Sequence, residues 1–91
     1  MKICQYLLTS SEEQVLWLLP STQVLGAFND VRPATGTIQV TLGVLEPSTS
    51  SPRVSRLFRC FYPNQEVPDG YQFVCVATGG FTGYIFELTG S

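Results

Sequence analysis

Apolar side chains recur at every second position through most of this chain, and that period admits strands and little else. Ile38, Val40, Leu42 and Val44 alternate with Gln39, Thr41, Gly43 and Leu45, the pattern of a strand with one face on a core. Residues 71–78 and 81–88 form two more such runs, separated by Gly79-Gly80. A Gly-Gly pair supplies positive φ angles without steric cost, so the two runs are predicted to pair across a tight turn. Val54 to Tyr62 reads as a strand carrying Arg56 and Arg59, and Gln23 to Phe28 as another that ends at Asn29-Asp30. Ile3 to Leu8 and Gln14 to Leu19 complete the set. The last is read as a strand in preference to a helical turn, although Ser10 and Glu13 stand at capping-box spacing before it.

Pro, Ser and Gly clusters mark the connections. Arg32 to Gly36 is a turn region, Glu46 to Pro52 a longer polar loop, and Pro63 to Gly70 carries two prolines and an Asp-Gly. No internal repeat or second domain is visible. The predicted fold is therefore all-β: a single domain over residues 1–91, with about seven short antiparallel strands in a compact barrel or a two-layer sandwich.

Only 13% of the residues are charged and 44% are hydrophobic, against a usual charged share of about 25%. A small chain has much surface to cover, and this one has few charges to cover it with. Either uncharged polar residues do so or part of the surface is an interface; association with further copies is expected. The net charge of −2 and the lack of a basic run argue against binding duplex nucleic acid. No apolar run is long enough for a membrane-spanning helix, and the broken N-terminal run makes a poor export signal. Cys4, Cys60 and Cys75 are scattered through apolar segments, which fits free thiols in a reducing cytoplasm. With no histidine in the chain, the commonest general base is missing and no metal cluster is expected. The carboxylates are spread over loops and strand ends. Catalysis is not expected, nor is a cofactor.

The order of the pieces resembles a family of small, largely uncharacterised phage and prophage proteins. Met1-Lys2, Tyr6, Leu8, Gln14 and Pro20 match its opening, and Val40 through Glu46-Pro47 its apolar strand with an acidic-Pro loop. Arg56-Leu57-Phe58-Arg59 matches its Arg-rich strand, and Pro68-Asp69-Gly70 its turn. Gly79 through Glu87 matches its closing hairpin. The chain departs from the pattern in the fourth strand, which lacks a Trp, and at Gly83-Tyr84, which stand where the family places Trp-His. The resemblance implies a β-rich fold and a phage setting in a bacterial cytoplasm. It brings no established activity.

Two features carry the functional expectation. Arg56 and Arg59 are three apart, so a regular strand points them to opposite faces; each is expected to snorkel to water or to meet a carboxylate, such as Glu66 or Glu87, or a phosphate. The chain is also rich in aromatic residues. Alternation puts Tyr71, Phe73 and Cys75 on one face and Val74 and Val76 on the other, while Phe81 and Ile85 oppose Tyr84 and Phe86. Apolar residues on both faces of one hairpin mean a central layer, a subunit interface or a ligand pocket. Rings to stack a base and guanidinium groups to hold phosphate are the ingredients of a nucleotide site. Turn amides at 32–37 and 78–82 are a further source of anion contacts. Arg56, Arg59, Tyr62, Tyr71 and Tyr84 are the expected ligand-binding residues, in an oligomer that captures a small, anionic, nucleotide-derived host signal. The competing expectation is a module that docks on another protein through an apolar face or a strand edge.

Overall fold

The computed structural model describes residues 1–9, 13–32, 37–48 and 51–89. The expected turn at 33–36 and most of the capping segment at 10–13 lie outside the described residues, as do Thr49 and Ser50 of the polar loop. The described residues form seven strands: β1 (Lys2–Thr9), β2 (Gln14–Leu18), β3 (Gln23–Arg32), β4 (Thr37–Glu46), β5 (Val54–Phe61), β6 (Tyr71–Gly79) and β7 (Gly83–Leu88). Among the described residues there is no helix, hence none long and apolar enough to cross a membrane. All seven strands join one sheet in the order β1-β4-β3-β6-β7-β5-β2, which curls into a nearly closed barrel.

The period-two reading holds best in β4, which buries Val40, Leu42 and Val44 completely. These meet Leu8 of β1, Leu18 of β2, Phe58 and Cys60 of β5, and Ile85 of β7 in one core. The choice of strand for β2 is borne out. It pairs with β5 from Gln14↔Phe58 to Leu18↔Val54, and it buries Leu18 while leaving Val15 and Trp17 exposed. β1 and β2 follow one another in the chain but do not pair. They are the two edges of the sheet and face each other across the open seam of the barrel.

Three local expectations are corrected. Residues 71–78 and 81–88 do form a hairpin, but Gly79-Gly80 is not a two-residue turn. The last pair is Ala77↔Gly83, so the loop is Thr78 through Thr82 and Phe81 belongs to it, not to a strand. Second, a bulge between Phe73 and Cys75 shifts the phase of β6. Phe73 faces outward opposite Phe86, whereas Cys75 packs on the core opposite Ile85, with Val74 also packed inward. A bulge of this kind adds one residue to one strand and reverses the alternation beyond it. Third, not every pairing is antiparallel. The connection 62–70 carries the chain back to the end where β5 begins, so β6 runs in the direction of β5 and β7 returns between them. β6 then meets β3 in a parallel ladder of three pairs, Ala27↔Ala77, Phe28↔Thr78 and Asn29↔Gly79.

That short ladder is held by Asn29, a buried polar residue on the inner face of β3. Its Oδ1 accepts the Phe81 N–H at 2.8 Å, and its Nδ2 donates to the carbonyl oxygens of Phe81 and, at 3.5 Å, Ala77. The Gly80 N–H also donates to the Asn29 main-chain oxygen, at 3.4 Å. Gly79 has φ 133°, and a Cβ there would lie 2.2 Å from that same oxygen. The glycine is needed for the close approach of β6 to β3. Truncating Asn29 to Ala removes its hydrogen bonds to the partly buried main chain of Phe81 and the buried Ala77 carbonyl, and is expected to lower stability by about 2–3 kcal/mol. Gly79→Ala should cost at least as much, through backbone strain and the clash. Urea denaturation followed by tryptophan fluorescence measures both, and a loss below about 0.5 kcal/mol at both positions would contradict the clamp.

Candidate functional site

The five expected site residues do not converge. They divide among the near end of the barrel, where β4 ends and β5 begins, its outer face, and its far end beside the hairpin tip.

At the near end, alternation brings charged side chains inward on the last turn of the strands. Arg56 lies on the core side of β5, and Glu87, level with Phe58 on β7, faces it. Arg56 Nε and Nη2 donate to the two Glu87 carboxylate oxygens at 2.7 Å each, and Nη1 donates to the Thr22 carbonyl at 2.8 Å. The bidentate pair keeps the guanidinium protonated, with its pKa raised chiefly by Glu87. Arg56 is thus committed to the fold and is not open to a ligand. Of the two carboxylates expected to pair with an arginine, Glu87 does so here.

Beside it, Glu46 at the end of β4 is buried and accepts from the Tyr6 hydroxyl and from Arg53, at 3.1 and 3.4 Å. Arg53 Nη1 also donates to the Trp17 carbonyl of β2 at 3.2 Å. One guanidinium therefore links β4 to β2 across the seam, with Tyr6 of β1 within 3.5 Å. The Tyr6 hydrogen bond, then Arg53, hold the Glu46 carboxyl below its ordinary pKa, against the opposing effect of desolvation. The same bond raises the Tyr6 phenol.

Arg59, Tyr71 and Tyr84 lie on the outer face. The expected opposition of Arg56 and Arg59 is what β5 shows. Phe61 alternates outward too, yet it is buried, because Tyr71 and Phe86 close on it edge-to-face at 5.3 and 5.4 Å. Arg59 stacks over Phe61 at 4.6 Å from the ring centroid. Its Nε is buried without a hydrogen bond, and no carboxylate among the described residues forms an ion pair with it. The Tyr71 hydroxyl donates to Glu13. Its pKa is raised, first by desolvation and then by that carboxylate, with Arg59 pulling the other way. Tyr84 faces outward between Val76 and Phe61 and is partly exposed.

Tyr62 alone borders a cleft. At the far end, Tyr62, Pro63, Phe81 and Thr82 enclose an open space of about 390 Å³. Tyr62 and Pro63 leave the end of β5, whereas Phe81 and Thr82 sit on the hairpin loop that Asn29 fixes through Phe81. Gly83 lets the loop enter β7 close to β5, since a Cβ there would lie 2.6 Å from Cys60 Sγ and 3.4 Å from the Tyr62 ring. Pro63 was not among the expected site residues, and Phe81 and Thr82 entered only as part of the turn 78–82, for its main-chain amides and not for their side chains. The signal for them was present: a proline after an aromatic strand end and an aromatic after Gly-Gly place rings on loops, where binding groups concentrate. All three cysteines are free thiols, and burial pushes the Cys60 and Cys75 thiols up, away from the thiolate form that nucleophiles require. Among the described residues no group of three or more potential metal ligands assembles.

No protein-family model matches the chain, and no curated protein or solved structure is significantly similar to it.

The Glu46 carboxyl has a lower pKa folded than unfolded, so the stability it contributes is present above the ordinary carboxylate range. That contribution is lost as pH falls through the lowered folded value. Tyr6→Phe removes the principal donor and raises the folded pKa of Glu46. The midpoint of acid unfolding, followed by far-UV circular dichroism, is expected to move to higher pH, and an unchanged midpoint would disprove the coupling.

Proposed function

We propose that this protein acts by binding a small molecule, whose flat ring enters the cleft between Tyr62 and Phe81. The observation that carries this reading is the cleft itself. Its volume of about 390 Å³ falls within the range of roughly 300–1,000 Å³ typical of ligand pockets. Two rings and a proline form its walls, and one of those rings sits on a loop already fixed by a buried clamp, so little ordering is left to be done on binding. Stacking of a base on an aromatic side chain contributes about 1–3 kcal/mol. Arg59, three residues before Tyr62, is the candidate for an added anion contact, because Arg53 and Arg56 are held by carboxylates and no carboxylate among the described residues pairs with Arg59. A nucleotide-derived signal has this chemistry. In the phage setting that the sequence resemblance implies, stoichiometric capture of such a defence messenger needs affinity and no catalytic group.

A second reading is favoured by Trp17. It is 61% exposed on the outer side of the edge strand β2, beside the exposed Val15. An unpaired edge flanked by apolar side chains suits addition of a strand from another protein.

Calorimetry against cyclic dinucleotides, ADP-ribose derivatives and free nucleosides separates the two. Wild-type protein is expected to bind at least one member of the panel. Thr82→Trp, which fills the cleft from a loop position, should weaken that binding at least tenfold with little change in melting temperature. Arg59→Gln should weaken phosphorylated ligands and leave nucleosides unaffected. If nothing in the panel binds, or if Thr82→Trp binds as wild type does, the cleft is not the site.

A further inference from the structure

The outer face of β1, β4 and β3 has a relief that the fold of one chain does not explain. Read across the three strands, Leu7, Thr41 and Phe28 lie in one row, and Gln5, Gly43 and Gly26 in the next. A third row is formed by Ile3, Leu45 and Gln23, with Leu25 turned out at the bulge between Val24 and Gly26. Ile3, Leu7, Leu25 and Phe28 are 70, 60, 51 and 48% exposed. Two apolar ridges thus flank a trough floored by two glycines.

Neither glycine is required by the chain's own backbone. The positive-φ glycines among the described residues are Gly70 and Gly79, so Gly26 and Gly43 have ordinary strand geometry even beside the bulge. A Cβ on Gly26 would have nothing within 4 Å, and one on Gly43 would meet only the Gly26 carbonyl oxygen at 3.7 Å, an ordinary contact. Glycine inside a strand weakens it, and where no bend or positive φ calls for it, it marks the close approach of another surface.

We propose that this face packs against the same face of a second copy of the chain, with the Leu7–Phe28 ridge of each copy seated in the glycine trough of the other. Three features select a second copy as the occupant. None of the residues in the three rows is charged, so a two-fold contact opposes no like charges and offers no handle to a charged partner. Ridge and trough are adjacent and parallel, so a two-fold axis between them makes the face complementary to itself. The extent is also adequate. Three strands about 4.8 Å apart and six residues long at about 3.3 Å each give roughly 300 Å² in plan. Side chains standing off that plane raise the accessible area toward the ~800 Å² per partner of a standard interface. The contact is a sheet-on-sheet packing, with both cores left intact.

Sedimentation velocity over a concentration series, with a thermal melt of each protein, provides the test. Wild type is expected to dimerise. Gly26→Val and Gly43→Val fill the trough without disturbing the chain that carries them, so each should melt at or above the wild-type temperature while weakening the dimer at least about 100-fold. Phe28→Lys, on an exposed ridge position, should abolish dimerisation and serves as the deciding variant if either valine substitution fails to fold. A wild-type protein that stays monomeric up to roughly millimolar concentration overturns the proposal. So does a Gly→Val or Phe28→Lys variant that folds and associates as tightly as wild type, because the contact then lies elsewhere.

Discussion

The barrel's single sheet has two antiparallel parts that share one core, and the short ladder between them is tied by the buried amide of Asn29. One part is β1-β4-β3 and the other β6-β7-β5-β2. Between them runs a parallel ladder of only three residue pairs. A ladder so short has few main-chain bonds of its own, and parallel pairing is somewhat weaker per residue. Asn29 supplies both a donor and an acceptor to the hairpin loop, at a depth where an unmet polar group is costly. The same bonds fix Phe81, so one wall of the cleft inherits its rigidity from the junction of the two parts.

The opposite junction, across the seam, is made by a side chain. Arg53 joins the end of β4 to the main chain of β2 where no ladder exists. Together with the Arg56–Glu87 pair it closes the near end of the barrel with a polar cap over an apolar core. Planar guanidinium groups suit this role, since each can bond a carboxylate and a carbonyl oxygen at once. The consequence for binding is a division of labour. The near end is closed by its own ion pairs, while the far end keeps its rings open.

How much of this was legible in the sequence follows from the range of the forces involved. Strands such as β4 announce themselves by local alternation, whereas Val15 to Leu19 of the β2 region carries no such clear pattern and was only narrowly told from a helical turn. The pairing of β3 with β6 was not legible, because nothing near Asn29 in the chain reveals that its partner lies some fifty residues away. The bulge at Val74 was missed for a related reason. An unbroken apolar run, Phe73-Val74-Cys75-Val76, has no polar residue to mark where the phase shifts. Arg56 and Arg59 were correctly placed on opposite faces, but which of them met a carboxylate depended on the register of β5 with β7.

The position of β7 has a further consequence. It is the last strand in the chain, yet it lies between β5 and β6 and pairs with both. As the polypeptide leaves the ribosome, β5 and β6 emerge with their inner edges unpaired and must wait for the segment that fills the space between them. β5 can pair with β2, and β6 with β3, but the two are joined to each other only once β7 is available. Folding of this sheet is deferred until β7 has been made, and meanwhile the nascent chain presents apolar edges that other proteins in the cell can engage.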